Sequence, residues 1–388
     1  MATWPYRPQL PLTETLEWHT DVIRCYSTEQ RQCLRTRPRM TWQHSYQLDY
    51  DDKAAAVELC RSNAHLEIDV PEWTSLVDIA ATSSGTTLVT VPSATTIPAY
   101  KVGGKAIIWE SATSYEVVTV AGVSANAVSI SATTSSHGAA TMCPLRPCKF
   151  INPLECDLQP AAFVTASAVF RCDVTEDLTP IYGVGIGYAE YEGIQVVTDT
   201  VELLGGAKES TERELATLDS TTGLVDQRPI YATPNRNGVL GWYCANRAEL
   251  WNLRRWLHSR KGRQKNFWAP SWNADVTITR NITGGDTTLE IVACNFASAF
   301  AMPCDFAIIA PDGGIWPVRV TAAAAGDAGK ELLTLADPFS GSVSLDNIYR
   351  TCKLTLSRFG TDSIEIHHMT GGQATVAVSV VEDPNVPA

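Results

Sequence analysis

Thr86-Thr87-Leu88-Val89-Thr90-Val91 and Thr287-Thr288-Leu289-Glu290-Ile291-Val292, 201 positions apart, are the stretches on which the fold turns. Both are dense in β-branched residues and read as strands. The recurrence continues outward. Ala106-Ile107-Ile108 returns as Ala307-Ile308-Ile309, and Tyr115-Glu116-Val117 is matched by Trp316-Pro317-Val318, again at 201. Arg146-Pro147-Cys148-Lys149 matches Arg350-Thr351-Cys352-Lys353 at 204, and Glu176-Asp177 matches Glu382-Asp383 at 206. Upstream, Thr28-Glu29-Gln30-Arg31 corresponds to Thr211-Glu212-Arg213-Glu214, Arg37-Pro38 to Arg228-Pro229, and Pro71-Glu72-Trp73 to Pro270-Ser271-Trp272. Collinear matches of this kind point to a tandem duplication, with modules at about 1–185 and 186–388.

Each module has one internal order: a β-rich segment, one helix, then Pro-x-Trp leading into a second β-rich unit. The first helix is expected from about Asp52 to Ala64, capped by Asp51 or Asp52, with Ala56, Leu59, Cys60 and Ala64 as its apolar stripe. The second is expected from an Asn246 cap to about Ser259, with Leu250, Leu253 and Leu257 facing inward. Tyr115–Val120 and Thr375–Val380 add strands, parted by turn signals at Gly103-Gly104, Gly284-Gly285 and Asp312-Gly313-Gly314. The expected fold class is therefore mainly β with few helices. A belt-like β/helix unit spans 1–75, a small antiparallel barrel or sandwich 76–150, a second belt 151–275 and a second barrel 276–357. Residues 358–388 supply C-terminal strands to the second module.

Of 388 residues, 45% are hydrophobic, which excludes wholesale disorder, and only 19% are charged, against roughly 25% in soluble domains. Low charge is consistent with surface covered by β-sheet or by partners. The net charge of −12 leaves no general footprint for nucleic acid, so no sequence recognition of nucleic acid is expected. No apolar run approaches the roughly 20 residues that cross a bilayer, and membrane insertion is not expected. The opening Met1-Ala-Thr-Trp-Pro lacks the pattern of a signal peptide, which points to synthesis in the cytosol. Eleven cysteines include no C-x-x-C pair, and most of them read as buried small hydrophobes in a reducing compartment.

The search for chemistry yields little. Gly183-Val-Gly185-Ile-Gly187 has the wrong spacing for a dinucleotide loop. Asp49, Asp51 and Asp52 lack the glycine and distal glutamate of a calcium loop and suit a helix N-terminus instead. His367 and His368 are adjacent and on a strand would face opposite ways, a poor geometry for a shared metal. No catalytic residue, cofactor or metal ligand is assigned, and no enzyme activity is expected. Two basic clusters carry more weight. Arg31, Arg35, Arg37 and Arg39 lie beside Trp42, and Arg254, Arg255, Arg260 and Arg263 gather at the end of the second helix. On an acidic chain, such patches suit contacts between subunits, where arginine and tryptophan are enriched. Neutralising Arg35, Arg37, Arg39, Arg254 and Arg255 is expected to weaken assembly and spare the isolated fold. Trp18, Trp73 and Trp272 are expected to anchor β-units.

Trp4-Pro5, Leu16-Glu17-Trp18-x-Thr20-Asp21-Val22-Ile23 and Glu29-Gln30-Arg31-x-x-Leu34-Arg35-x-Arg37-Pro38-Arg39 together resemble the opening of distal tail and tail-tip (baseplate) proteins of long-tailed bacteriophages. The Phe267-Trp268-Ala269-Pro270-Ser271-Trp272 stretch is similar to the family's passage from helix to β-unit. The resemblance covers the first 80 residues well and 200–275 loosely. It implies a structural virion protein that forms a ring beneath the tail tube. The implied partners are itself as a trimer or hexamer, the tail tube protein, the baseplate hub or other tail-tip proteins, and tail fibres. The implied location is the virion tail, assembled in the host bacterial cytoplasm. Two belts per chain depart from the family's usual single belt, so three copies could complete a six-module ring. The alternative is a minor tail protein whose β-units bind host-surface carbohydrate or hold a fibre. An enzyme using Glu176 and Asp177 is disfavoured, because glycosidase carboxylates must face each other across a substrate.

Overall fold

The computed structural model describes all residues except 92–99, 153, 158–162, 173–177, 179–182, 200–209, 232–234 and 385–388. Strand occupies 51% and helix 12%, so the fold is mainly β with large antiparallel sheets. Glu176 and Asp177 lie outside the described residues.

The first belt begins with a long hairpin of β1 (Gln9–Arg24) and β2 (Glu29–Leu48), closed where Cys25 N donates to Thr28 O at 2.8 Å. Alternate residues of β1, namely Leu12, Glu14, Leu16, Trp18 and Thr20, are buried, as a strand with one covered face requires. Helix α1 (Tyr50–Asn63) follows, its N-terminus capped by Asp49, whose side chain accepts from Asp52 N at 2.7 Å. The cap thus falls two residues or more ahead of the expected Asp51 or Asp52. Of the expected stripe only Ala56 is buried, because little of the protein packs over this helix. The chain then passes through β3 (Ile68–Pro71) into a first small antiparallel β-unit, labelled the first barrel, made of β4 (Val77–Ile79), β5 (Leu88–Thr90), β6 (Lys105–Trp109), β7 (Tyr115–Ser124), β8 (Ala127–Ile130) and β9 (Ala140–Phe150). β9 runs out of the barrel to pair with β3. Past β10 (Glu155–Asp157), β11 (Val164–Cys172) pairs along β2, so the first belt draws on residues beyond 150.

A short ladder of β12 (Glu190–Tyr191) and β13 (Ile194–Gln195) precedes β14 (Ser210–Glu212), β15 (Leu215–Leu218), β16 (Asp226–Pro229) and β17 (Asn235–Cys244). Helix α2 (Arg247–Arg260) starts at the expected Asn246 cap, whose side chain accepts from Ala248 N and Glu249 N. Leu250, Leu253 and Leu257 are buried as the spacing predicts. β18 (Phe267–Pro270) leads to the second barrel: β19 (Thr288–Val292), the short helix α3 (Phe296–Ala299), β20 (Cys304–Ile309), β21 (Ile315–Ala325), β22 (Lys330–Leu335) and β23 (Arg350–Phe359). β24 (Ser363–His368) and β25 (Ala374–Glu382) finish the second belt, β25 pairing along β17.

The two barrels share connectivity and register. β5 pairs with β8, β8 with β7, β7 with β6 and β6 with β9; in the second barrel β19, β22, β21, β20 and β23 follow the same path. Lys105 faces Thr119 as Asp305 faces Arg319, and both barrels bulge at one point, Val120/Gly122 and Val320/Ala322. These equivalences run at 200, not at the 201 of the repeated letters. Within a strand that single step reverses the face. Leu88 is 58% exposed, whereas Leu289, its match in the sequence, is 3% exposed; the true counterpart is buried Val89.

Candidate assembly interface

The belts meet edge to edge. Leu12–Glu17 of β1 pair antiparallel with Ser363–His368 of β24, which joins both belts into one sheet. Beyond this ladder the outer half of the first hairpin lies over the second belt as an arm, and its polar contacts are deeply placed. Glu29 accepts from Arg358 Nε at 2.6 Å and Nη2 at 2.8 Å, a bidentate pair with both side chains buried. Arg31 Nη2 donates to buried Asp383 at 2.6 Å, and Asn266 donates to the same carboxylate at 3.3 Å. Asp362 accepts from Thr20 N at 2.7 Å and Arg263 N at 2.9 Å, while its own carbonyl accepts from Trp18 N. Gly262, at φ +62°, lies against this carboxylate, and a Cβ there would collide with Asp362 and press on Trp18.

Glu14 is buried on the inward face of β1, where Arg254 and His368 meet its Oε2. Burial pushes this carboxyl up, but the Arg254 charge and the hydrogen bond and charge of His368 outweigh it and hold the group below the usual carboxylate range. His44, stacked on Trp42 and bonded to Tyr46 Oη at 2.9 Å, is driven down to about 3 by burial, with the charge of His368 adding to the shift.

The arginines singled out in the sequence fall into four groups. Arg31 and Arg254 bind Asp383 and Glu14 across the two halves of the chain, and Arg263 binds Asp362 within the second half while its Nη2 donates to Thr20 O of the first at 2.6 Å. Arg35 reaches the Glu17 carbonyl within the hairpin, and Arg255 bonds Asn252 within α2. Arg260 is buried over Trp256, donates to Asn266 O at 2.9 Å, and burial lowers its pKa to about 10. Arg37 and Arg39 are exposed, and Trp42 is buried in the first belt. Neutralising Arg31 or Arg254 would therefore strip a partner from a buried carboxylate of the same chain, so the isolated fold would not be spared.

Sequence reasoning passed over the acidic partners. Glu14 and Asp362 carried no motif, Asp383 stood out only as a repeat landmark, and Glu29 as a repeat landmark and the start of the stretch that carries the resemblance. The parity of β1 was the available signal, because Glu14 shares the register of Leu12, Leu16 and Trp18. Trp18 and Trp73 are buried, whereas Trp272 is half-buried at φ +58°. Gly185 packs against the backbone of α2 at Asn252, which explains a glycine there. Glu382 ends β25, and His367 and His368 do face opposite ways.

A cleft of about 620 Å³ lies between the modules, bordered by Arg7, Leu12, Trp73, Arg247, Leu250 and His368. Among the described residues no cluster of three metal-ligating side chains occurs, and no helix is long and apolar enough to cross a membrane. None of the eleven cysteines forms a disulfide, and six of them are buried. Compared with known protein families and with functionally described proteins, the chain matches none.

Proposed function

We propose that this chain is a structural component of a bacteriophage tail tip, a ring that joins the tail tube to the baseplate or fibres. The observation that carries the reading is the joint between β1 and β24. Two belts of like connectivity sit in one chain, and the first pairs with an edge of the second while its arm lies over it. Different surfaces meet in this contact. Repeated between copies, a contact of that kind closes a ring when the rotation permits. The shared connectivity of the barrels supports duplication as the origin of the two modules, and the resemblance of the first 80 residues supplies the particle. The ring would be a trimer, sixfold in belts and threefold in chains. Exposed Arg37 and Arg39 suit contacts to neighbouring tail proteins. No catalytic role is assigned.

The test is copy number per particle, by quantitative mass spectrometry against the tail tube protein. Three copies are expected. Six copies would overturn the two-belt ring, and absence from particles would overturn the tail assignment.

A further inference from the structure

The two belts are alike in strand path but not in what covers them. The second belt carries the first arm. Its own arm lies in solvent: β14 pairs with β17 as β1 pairs with β2, and the β15–β16 hairpin stands beyond it. Every residue from Ser210 to Ile230 is exposed, including Leu215, Leu218, Leu224 and Val225, with Leu224 97% accessible. A hairpin that presents open strand edges and large apolar side chains to water is a ready template for pairing with another chain.

The first belt lacks the matching cover. β10 pairs with β11 as β24 pairs with β25, Cys156 opposite Ala166 and Ile366 opposite Val376. The outer edge of β24 holds β1, whereas among the described residues the outer edge of β10 holds no strand. The helices differ in the same sense. Counted from their caps, Val57 and Arg61 of α1 occupy the places of Arg254 and His258 of α2, which meet Glu14 and Trp18 of β1. α2 buries seven residues and α1 only Ala56.

We propose that the arm Ser210–Ile230 of one copy docks on the first belt of a second copy, adding β14 to the open edge of β10 and lying over α1. It would do between chains what the first arm does within one. Main-chain pairing at the edge would supply affinity, and the exposed leucines would gain cover. Arm and acceptor are different surfaces, so copies add head to tail until the ring closes. The inference rests on the two-belt ring reading and names its joint.

The test uses the purified full chain and two variants, followed by native mass spectrometry and light scattering. In one variant a short Gly-Ser turn replaces the whole arm Ser210–Ile230; in the other Val57→Glu and Arg61→Glu charge the acceptor helix. The wild-type chain is expected at three chain masses and each variant alone at one, with unchanged circular dichroism. Mixed one to one, the variants should form a dimer that grows no further, because only one arm and one open belt remain. A monomeric wild-type chain, a variant that stays trimeric, or a mixture that stays monomeric would each overturn the joint. Particle copy number judges the tail reading separately: a chain that trimerises through its arm yet is missing from particles would sink that reading and leave the joint standing.

Discussion

Glu29→Ala should detach the first arm from the second belt, and the structure sets the size of the effect. The carboxylate is bound through both oxygens by Arg358, with both side chains buried, and Arg31 lies 3.5 Å away on its route to Asp383. Removing one partner of a buried pair costs about 3–5 kcal/mol, because the other charge stays desolvated and unpaired. Glu17→Ala is the control. It breaks the contact to Arg35, whose partner is 40% exposed, and should cost below about 1 kcal/mol. The assay is hydrogen exchange by mass spectrometry on peptides covering 18–38, which reads local opening directly. The expected result is a rise in exchange of roughly 100-fold or more for Glu29→Ala and less than about 5-fold for Glu17→Ala. Glu29→Leu combined with Arg358→Met should recover most of the loss, since both charges then leave together. An effect of Glu29→Ala no larger than that of Glu17→Ala would refute the reasoning, for the pair would then behave as a solvated surface contact.

Three further outcomes follow from the same geometry. Because burial holds His44 at about 3, the unfolded chain binds a proton that the folded one refuses as pH falls below about 6.5; stability should drop by up to roughly 1.4 kcal/mol per pH unit between there and pH 4, and urea titrations of His44→Gln should show a flatter slope. Gly262→Ala combines a left-handed backbone with a collision against Asp362 and should cost at least ~1–2 kcal/mol in urea denaturation, whereas Gly313→Ala, with open space at its Cβ, pays only the backbone part. Asn246→Ala and Asp49→Ala each remove a helix cap worth about 1 kcal/mol, but the first should appear in global stability and the second only as faster exchange in the first turn of exposed α1.

Much of the architecture was legible because it is written locally. β-branched runs, turn glycines and the 3.6-residue spacing of Leu250, Leu253 and Leu257 each concern neighbours in sequence, and they set the strands and the second helix. The repeat pointed to two like units, since related folds leave related patterns of letters. It could not supply the register. Identical letters at 201 sit on opposite faces of strands whose equivalence runs at 200, because hydrogen-bonded pairing, not identity, decides which residue faces the core.

The basic clusters were visible as surface-forming charge, but their partners were not. Arg254 reaches Glu14 across 240 positions and Arg358 reaches Glu29 across 329, and no local pattern records a pairing at such separation. By itself, the sequence determined a mainly β chain with one substantial helix per half, and the parity that turns Glu14 inward. Only the tertiary structure decided that the first arm lies on the second belt while the second arm stands in solvent. That asymmetry follows from chain connectivity: among the described residues β1 pairs with β24 and brings the first arm onto the second belt, while Ser210–Ile230 stay exposed.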